Sequence, residues 1–153
     1  MSSLLRTGLC PLASLTAGAP DGTLLLSLTV PGEARSAGIV RGAISSALHA
    51  HALDRFALPA AHAVSELVAQ AARLTPGQDV YVFLRHRDDV VRLVVWDQHP
   101  AHADPAAVTL CRKRRRRALW LLGAVVDDWG GEWGIRDAGP PQGGTKTWVA
   151  LPS

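Results

Sequence analysis

Residues 65–71 read Ser-Glu-Leu-Val-Ala-Gln-Ala and lie within a pattern of apolar residues at helical spacing over residues 59–74. The proline at the start of this pattern suits the first turn of a helix, and Thr75-Pro76-Gly77 ends it. Glu66 and Gln70 are four residues apart, so they share one helix face and can address one ligand. The sequence therefore predicts an amphipathic helix that carries polar side chains on one face.

Strand patterns lie on both sides of this helix. Residues 80–85 alternate, residues 90–96 read VVRLVVW, and Arg87-Asp88-Asp89 between them favours a hairpin. Upstream, residues 23–30 (TLLLSLTV) predict a first strand, and residues 33–53 predict an Ala-rich first helix. Along the chain, this helix is therefore expected to follow a first strand and a first helix and to precede a β-hairpin.

The second half of the chain continues the alternation. Residues 97–110 form a Pro/His/Ala-rich segment that predicts a loop, and residues 118–129 predict a helix. Residues 132–136 and 145–151 predict the last two strands. The order β, α, α, β, β, α, β, β predicts a two-layer α/β (α+β) sandwich with a mixed, mostly antiparallel sheet and helices on one face.

Bulk composition fits one globular domain. The chain has 153 residues, of which 48% are hydrophobic and 19% charged. We assign residues 23–153 to the domain and residues 1–22 to a flexible N-terminal leader. Cys10 and Cys111 lie far apart, which favours a reducing cytoplasmic location, and no apolar run approaches the ~20 residues that span a bilayer. No membrane role is expected.

Four segments, in order, resemble the histidine-kinase-like ATPase superfamily with its Bergerat ATP-binding fold, and most of all the stand-alone anti-sigma-factor serine/threonine kinases. Residues 65–71 resemble the family's N box, in which the Glu is general base and an Asn ligates Mg²⁺. The resemblance therefore implies that Glu66 is catalytic and that Gln70 is the metal ligand. Gln70 departs from the Asn of the family by one methylene, and octahedral Mg²⁺ tolerates a displaced ligand poorly.

Two further segments resemble the adenine site and the closing strand. Residues 93–100 (LVVWDQHP) resemble the first glycine-box region, where an Asp accepts a hydrogen bond from the adenine amine, so the resemblance implies that Asp97 reads adenine. Residues 143–151 resemble the last strand, and Thr147 there is implied to be a cofactor-binding residue. Strand alternation points Trp96 to the sheet face opposite Asp97.

The third segment along the chain departs most from the family. Residues 115–122 (RRRALWLL) resemble a Gly-Arg-Gly-Leu motif whose glycines let backbone N–H groups approach the phosphates. Arg116 and Ala118 occupy the two glycine positions, and Arg117 matches the arginine. The resemblance implies that all three line the phosphate site, where the larger side chains crowd it.

The resemblance implies an ATP- and Mg²⁺-binding regulatory protein. Its partner would be a sigma factor or an anti-anti-sigma-like antagonist, and the relatives frequently form homodimers. A serine/threonine kinase and a catalytically inactive, degenerate ATPase-fold binding module (a pseudokinase) both remain open, because Gln70, Arg116 and Ala118 favour the second.

Two clusters lie outside these motifs. Residues 112–117 are six consecutive cations, which suit a phosphate clamp, a nucleic-acid contact or an acidic protein surface. Without aromatic or Gly-rich interleaving, a solvated lid edge is favoured over nucleic acid. His99 and His102, with nearby Asp104, could hold a metal, but their spacing matches no specific motif, and solvated loop histidines are favoured.

Overall fold

The computed structural model describes residues 23–153, and the leader predicted over residues 1–22 lies outside the described residues. The helices and strands follow one another in the predicted order, with one additional helix, Pro105–Ala118. In chain order the elements are β1 (Leu24–Pro31), α1 (Ser36–Ala50), a 3₁₀ turn (Asp54–Phe56), α2 (Ala57–Leu74), β2 (Asp79–Arg87), β3 (Val90–Asp97), α3 (Pro105–Ala118), α4 (Trp120–Asp128), β4 (Glu132–Asp137) and β5 (Thr145–Pro152).

The five described strands form one sheet in the order β1-β2-β3-β5-β4, and every neighbouring pair is antiparallel. The predicted two-layer α+β sandwich is confirmed, and the sheet is antiparallel throughout rather than mixed. One sheet face is buried under the helices, since alternate residues of β3 are buried: Val91, Leu93 and Val95. The antiparallel sheet can leave its other face partly open to solvent.

Helix α2 is the centre of the helical layer. Its buried side chains Val64, Leu67 and Val68 belong to the same core as the buried face of β3, and α2 also contacts α1 and α4. Fully burying an aliphatic side chain contributes about 1.5–3 kcal/mol, so this stripe fixes the rotation of α2 about its axis. That rotation decides which side chains of α2 face α3.

The hairpin between β2 and β3 has the predicted turn. Asp88 and Asp89 both have positive φ, at 52° and 58°, which is the requirement of the two-residue turn that matches the twist of antiparallel strands. Asp is one of the few residues that tolerates this left-handed region.

The prediction of a loop over residues 97–110 is wrong from residue 105 onward, because α3 begins there and contains the whole basic run. Asp104 accepts a hydrogen bond from the N–H of Ala106 at 3.0 Å, and Pro105 occupies the first helical position. This N-cap starts the additional helix, and the helix predicted over residues 118–129 is present as α4. Leu119, with φ −102° and ψ 20°, then separates α3 from α4.

Within residues 23–153, no helix combines the length and the apolar character that crossing a membrane requires.

Candidate functional site

A cavity of about 480 Å³ lies between α2 and α3, beside the end of β3. Its walls come from the C-terminal half of α2, the loop after β3 and the inward face of α3. Two residues that the sequence placed in the nucleotide site, Gln70 and Ala118, are part of these walls. The residues that line it are Gln70, Arg73, Leu74, His99, His102, Ala107, Leu110, Cys111, Arg114, Arg115 and Ala118.

A buried ion pair closes the inner end of this cavity. Asp97 is the last residue of β3 and only 2% exposed, and Arg115 on α3 is 3% exposed. The two guanidinium nitrogens of Arg115 donate to the two carboxylate oxygens of Asp97 at 2.8 and 2.9 Å, which is the bidentate arrangement. Asp97 also accepts the N–H of His99 at 3.0 Å. Arg115 lines the cavity, and Asp97 does not.

Arg115 stays charged in this environment. Burial alone would lower the pKa of its guanidinium, but the hydrogen bonds and the negative charge of Asp97, together with an interaction with Cys111, raise that pKa above the ordinary value. Arg115 therefore presents a positive charge to the carboxylate of Asp97. Sequence reasoning missed Arg115, because nothing local distinguishes it from the cations beside it. Once α3 is extended back to Asp104, helical spacing places Arg115 on the same inward face as Cys111.

Gln70, predicted to be the metal ligand, faces α3. Its amide nitrogen donates to the carbonyl oxygen of Arg115 at 3.2 Å, and the residue is buried. Glu66, predicted to be the catalytic base, lies one turn earlier on α2, is half-buried and does not line the cavity. The structure therefore brings Gln70 but not Glu66 into the cavity wall.

The remaining predicted cofactor-binding residues are spread over three places. Arg116 is exposed and lies over Trp133, with the guanidinium carbon 5.3 Å from the ring centroid. Arg117 is exposed and does not line the cavity, whereas Ala118 does. Thr147 is buried in β5 opposite Val95. The phosphate-side residues do not converge on one cradle in this arrangement.

These residues do not fit ATP as they stand. An adenine amine must reach the carboxylate of Asp97, but this residue is buried behind the paired guanidinium of Arg115 and does not line the cavity. A Mg²⁺ ligand needs an oxygen aimed at the metal beside other oxygens, but the amide of Gln70 is bonded to α3 instead. No step of phosphoryl transfer follows from this geometry.

A second cluster lies at the mouth of the cavity. The Nε2 atoms of His99 and His102 are 3.3 Å apart, and Sγ of Cys111 is 3.4 Å from Nε2 of His99. Burial lowers the pKa of His99, and the charge of Arg115 lowers it further, which favours the neutral ring. The sequence grouped the two histidines with Asp104, but Asp104 caps α3, and Cys111 is the third member of the cluster.

No protein-family model and no curated protein sequence matches this chain. Among solved structures, the mycobacterial sensor histidine kinase MprB is similar, with a TM-score of 0.50 and 26% sequence identity over 63% of this chain and 73% of that one. The likeness agrees with the two-layer arrangement of helices on a sheet. This match does not test the closer likeness to the anti-sigma-factor kinases, which stays a prediction. The chain has a histidine-kinase-like ATPase fold.

Proposed function

We propose that this chain is a regulatory protein of the histidine-kinase-like ATPase fold that acts by binding another protein, and that Arg115 closes its adenine site. The buried pair of Asp97 and Arg115 carries the proposal. The guanidinium supplies two hydrogen-bond donors to the carboxylate that the resemblance assigns to the adenine amine. An arginine of the protein thus satisfies the group that a nucleotide would otherwise satisfy.

The outward surface around α3 supports a protein partner. Lys113 and Arg117 are exposed on it, and beyond them the side chain of Trp120 is 69% exposed. A large aromatic beside cations suits a partner with an acidic rim and an apolar centre. By resemblance, the partner class is a sigma factor or an anti-anti-sigma-like antagonist in the cytoplasm, with a homodimer as the assembled form.

A second candidate function, ATP binding with serine/threonine kinase activity, is favoured by the cavity itself. Its volume of about 480 Å³ is within the range of ligand pockets, and Gln70 and Ala118 line it. This candidate requires Arg115 to leave Asp97, the amide of Gln70 to release the main-chain carbonyl of Arg115, and Glu66 to turn toward the cavity. Glu66 would then act as base and Gln70 as Mg²⁺ ligand. A pseudokinase would bind ATP by the same movement without transferring phosphate.

Titration calorimetry of the full chain with ATP, with and without Mg²⁺ and with GTP for comparison, tests the closure. We expect no saturable heat from the unmodified chain at millimolar ATP. Arg115→Ala frees the carboxylate and is expected to bind ATP selectively, and adding Asp97→Asn is expected to abolish that binding. Arg114→Ala is the matched control, because Arg114 lines the same cavity without pairing with Asp97.

Each outcome separates the candidates, provided that circular dichroism shows the variant to be folded. Saturable, adenine-selective heat from the unmodified chain, lost in Asp97→Asn, would overturn the closure and support the second candidate. A folded Arg115→Ala variant that still binds no ATP would show that more of the pocket than its inner end has been lost.

The proposed binding of a protein partner is tested by reversing charges on α3. We expect Lys113→Glu combined with Arg117→Glu to weaken binding at least about tenfold, because like charges across an interface repel. The measurement is the affinity for purified sigma factors and their antagonists at low and high salt. Arg85→Glu with Arg92→Glu is the control, with equal charge change at exposed positions of β2 and β3. An equal loss in the control, or binding by neither partner class, would contradict the assignment.

Nucleic-acid binding through residues 112–117 has weaker support, because α3 turns Arg115 of the run inward to Asp97. It predicts a steep loss of affinity with added salt in the same titrations.

A further inference from the structure

We propose that His99, His102 and Cys111 form a zinc-binding site with three protein ligands and a fourth position open to the cavity. The site is independent of the proposed function. Imidazole and thiolate are ligands that Zn²⁺ prefers, and three protein ligands with an open fourth position are the pattern of zinc sites that bind water or substrate.

The distances match a tetrahedral ion. Zn–N bonds of about 2.0–2.1 Å and Zn–S bonds of about 2.3 Å place two nitrogen ligands about 3.3 Å apart, and a nitrogen and a sulfur about 3.6 Å apart. The structure has 3.3 Å between the two histidine Nε2 atoms and 3.4 Å between Nε2 of His99 and Sγ of Cys111. All three candidate ligand atoms lie within 4.8 Å of one another. Two of the three separations thus already match a tetrahedral ion, and the third is closed by a turn of the exposed His102 ring.

Hydrogen bonding explains the cluster less well. A ring nitrogen carries either one N–H or one lone pair, so Nε2 of His99 cannot fully serve both His102 and Cys111. A shared cation would accept the lone pairs of both rings and the thiolate together. The convergence of two partners on one nitrogen is the observation that points to a ligand.

The backbone around the cluster is held in place from two sides. Asp97 accepts the N–H of His99 at 3.0 Å, which fixes the start of the loop. Asp104 caps α3, and this helix presents Cys111 to the loop. The ligands thus come from two anchored elements, and an ion would join them.

Local charge also permits a cation here. Arg115 is the nearest buried cation, and it interacts with Cys111. Because Asp97 neutralises Arg115 through the bidentate pair, the arginine repels a divalent ion less than a free guanidinium would.

The fourth position would face a cavity rather than a packed side chain. All three ligands line the 480 Å³ cavity, and the same three line a smaller cavity on the other side of the loop. Water or a small ligand donor can therefore complete the coordination.

Cobalt(II) titration of the untagged full chain under reducing conditions tests the site. We expect intense visible bands of tetrahedral Co²⁺ and a thiolate-to-cobalt charge-transfer band, both displaced by one equivalent of Zn²⁺. Cys111→Ser should lose the charge-transfer band and weaken Zn²⁺ binding at least about tenfold, a loss that even outer-shell changes can cause. Cys10→Ser is the matched control and should keep the band.

His102→Ala is a second variant, at an exposed position where folding is not at risk, and it should weaken Zn²⁺ binding as Cys111→Ser does. Zn²⁺ should also raise the midpoint of thermal unfolding of the unmodified chain but not of either ligand variant. Absence of a thiolate–cobalt band from the unmodified chain would overturn the proposal. So would a band that persists in Cys111→Ser and disappears in Cys10→Ser.

Discussion

Asp97 and Arg115 depend on each other because both charges have been removed from water. A buried ion pair gains little over apolar residues of the same size, since desolvation offsets the attraction. Removing only one partner is different, because the other charge then remains buried without compensation. We therefore expect the pair to specify how α3 lies against β3 more than it adds to net stability.

A double-mutant cycle measures this dependence. We expect Arg115→Met to lower the free energy of unfolding by about 3–5 kcal/mol, because Asp97 is left charged and buried. Asp97→Asn should cost a similar amount, and the double variant should recover most of the loss. Urea unfolding followed by circular dichroism provides the three values. Single losses that simply add in the double variant would contradict the coupling.

At the scale of elements, α3 decides the character of the site. It places Arg115 against Asp97, Cys111 against the histidines, and the exposed cations toward solvent. The sequence analysis could have located this helix, since Asp104-Pro105 is an N-cap followed by proline at the first helical position. The six consecutive cations contain no apolar residues at helical spacing, so the periodicity that indicates a helix is missing over this part of α3.

The start of α3 can be tested at its cap. Asp104→Ala removes the acceptor for the N–H of Ala106, and we expect it to lower the free energy of unfolding by about 0.5–2 kcal/mol. Asp104→Asn is the control, because asparagine caps helices about as well and should change stability little. Urea unfolding measures both. Equal losses in the two variants would indicate that the charge of Asp104, rather than its capping bond, stabilises the helix.

At the scale of the whole molecule, the layers could be predicted from the sequence, and much of the site could not. Strand alternation and the apolar stripe of α2 are local patterns that report burial directly, so the sheet and its cover follow from them. Because this stripe fixes the rotation of α2, the position of Gln70 in the cavity wall also follows from the local pattern. The partner of Asp97 lies eighteen residues away on an element whose rotation is set by tertiary packing, and no local pattern encodes it.

The sheet order also has a consequence for the time at which the site is assembled. In the described sheet, β5 lies between β3 and β4, and β4 pairs with no other strand. During synthesis, β4 leaves the ribosome before the strand that joins it to the sheet exists. Thr145, which opens β5, pairs with Asp97 in register. Thr145 also lines the smaller cavity beside the histidines, so this part of the site cannot be completed before β5 has been synthesised.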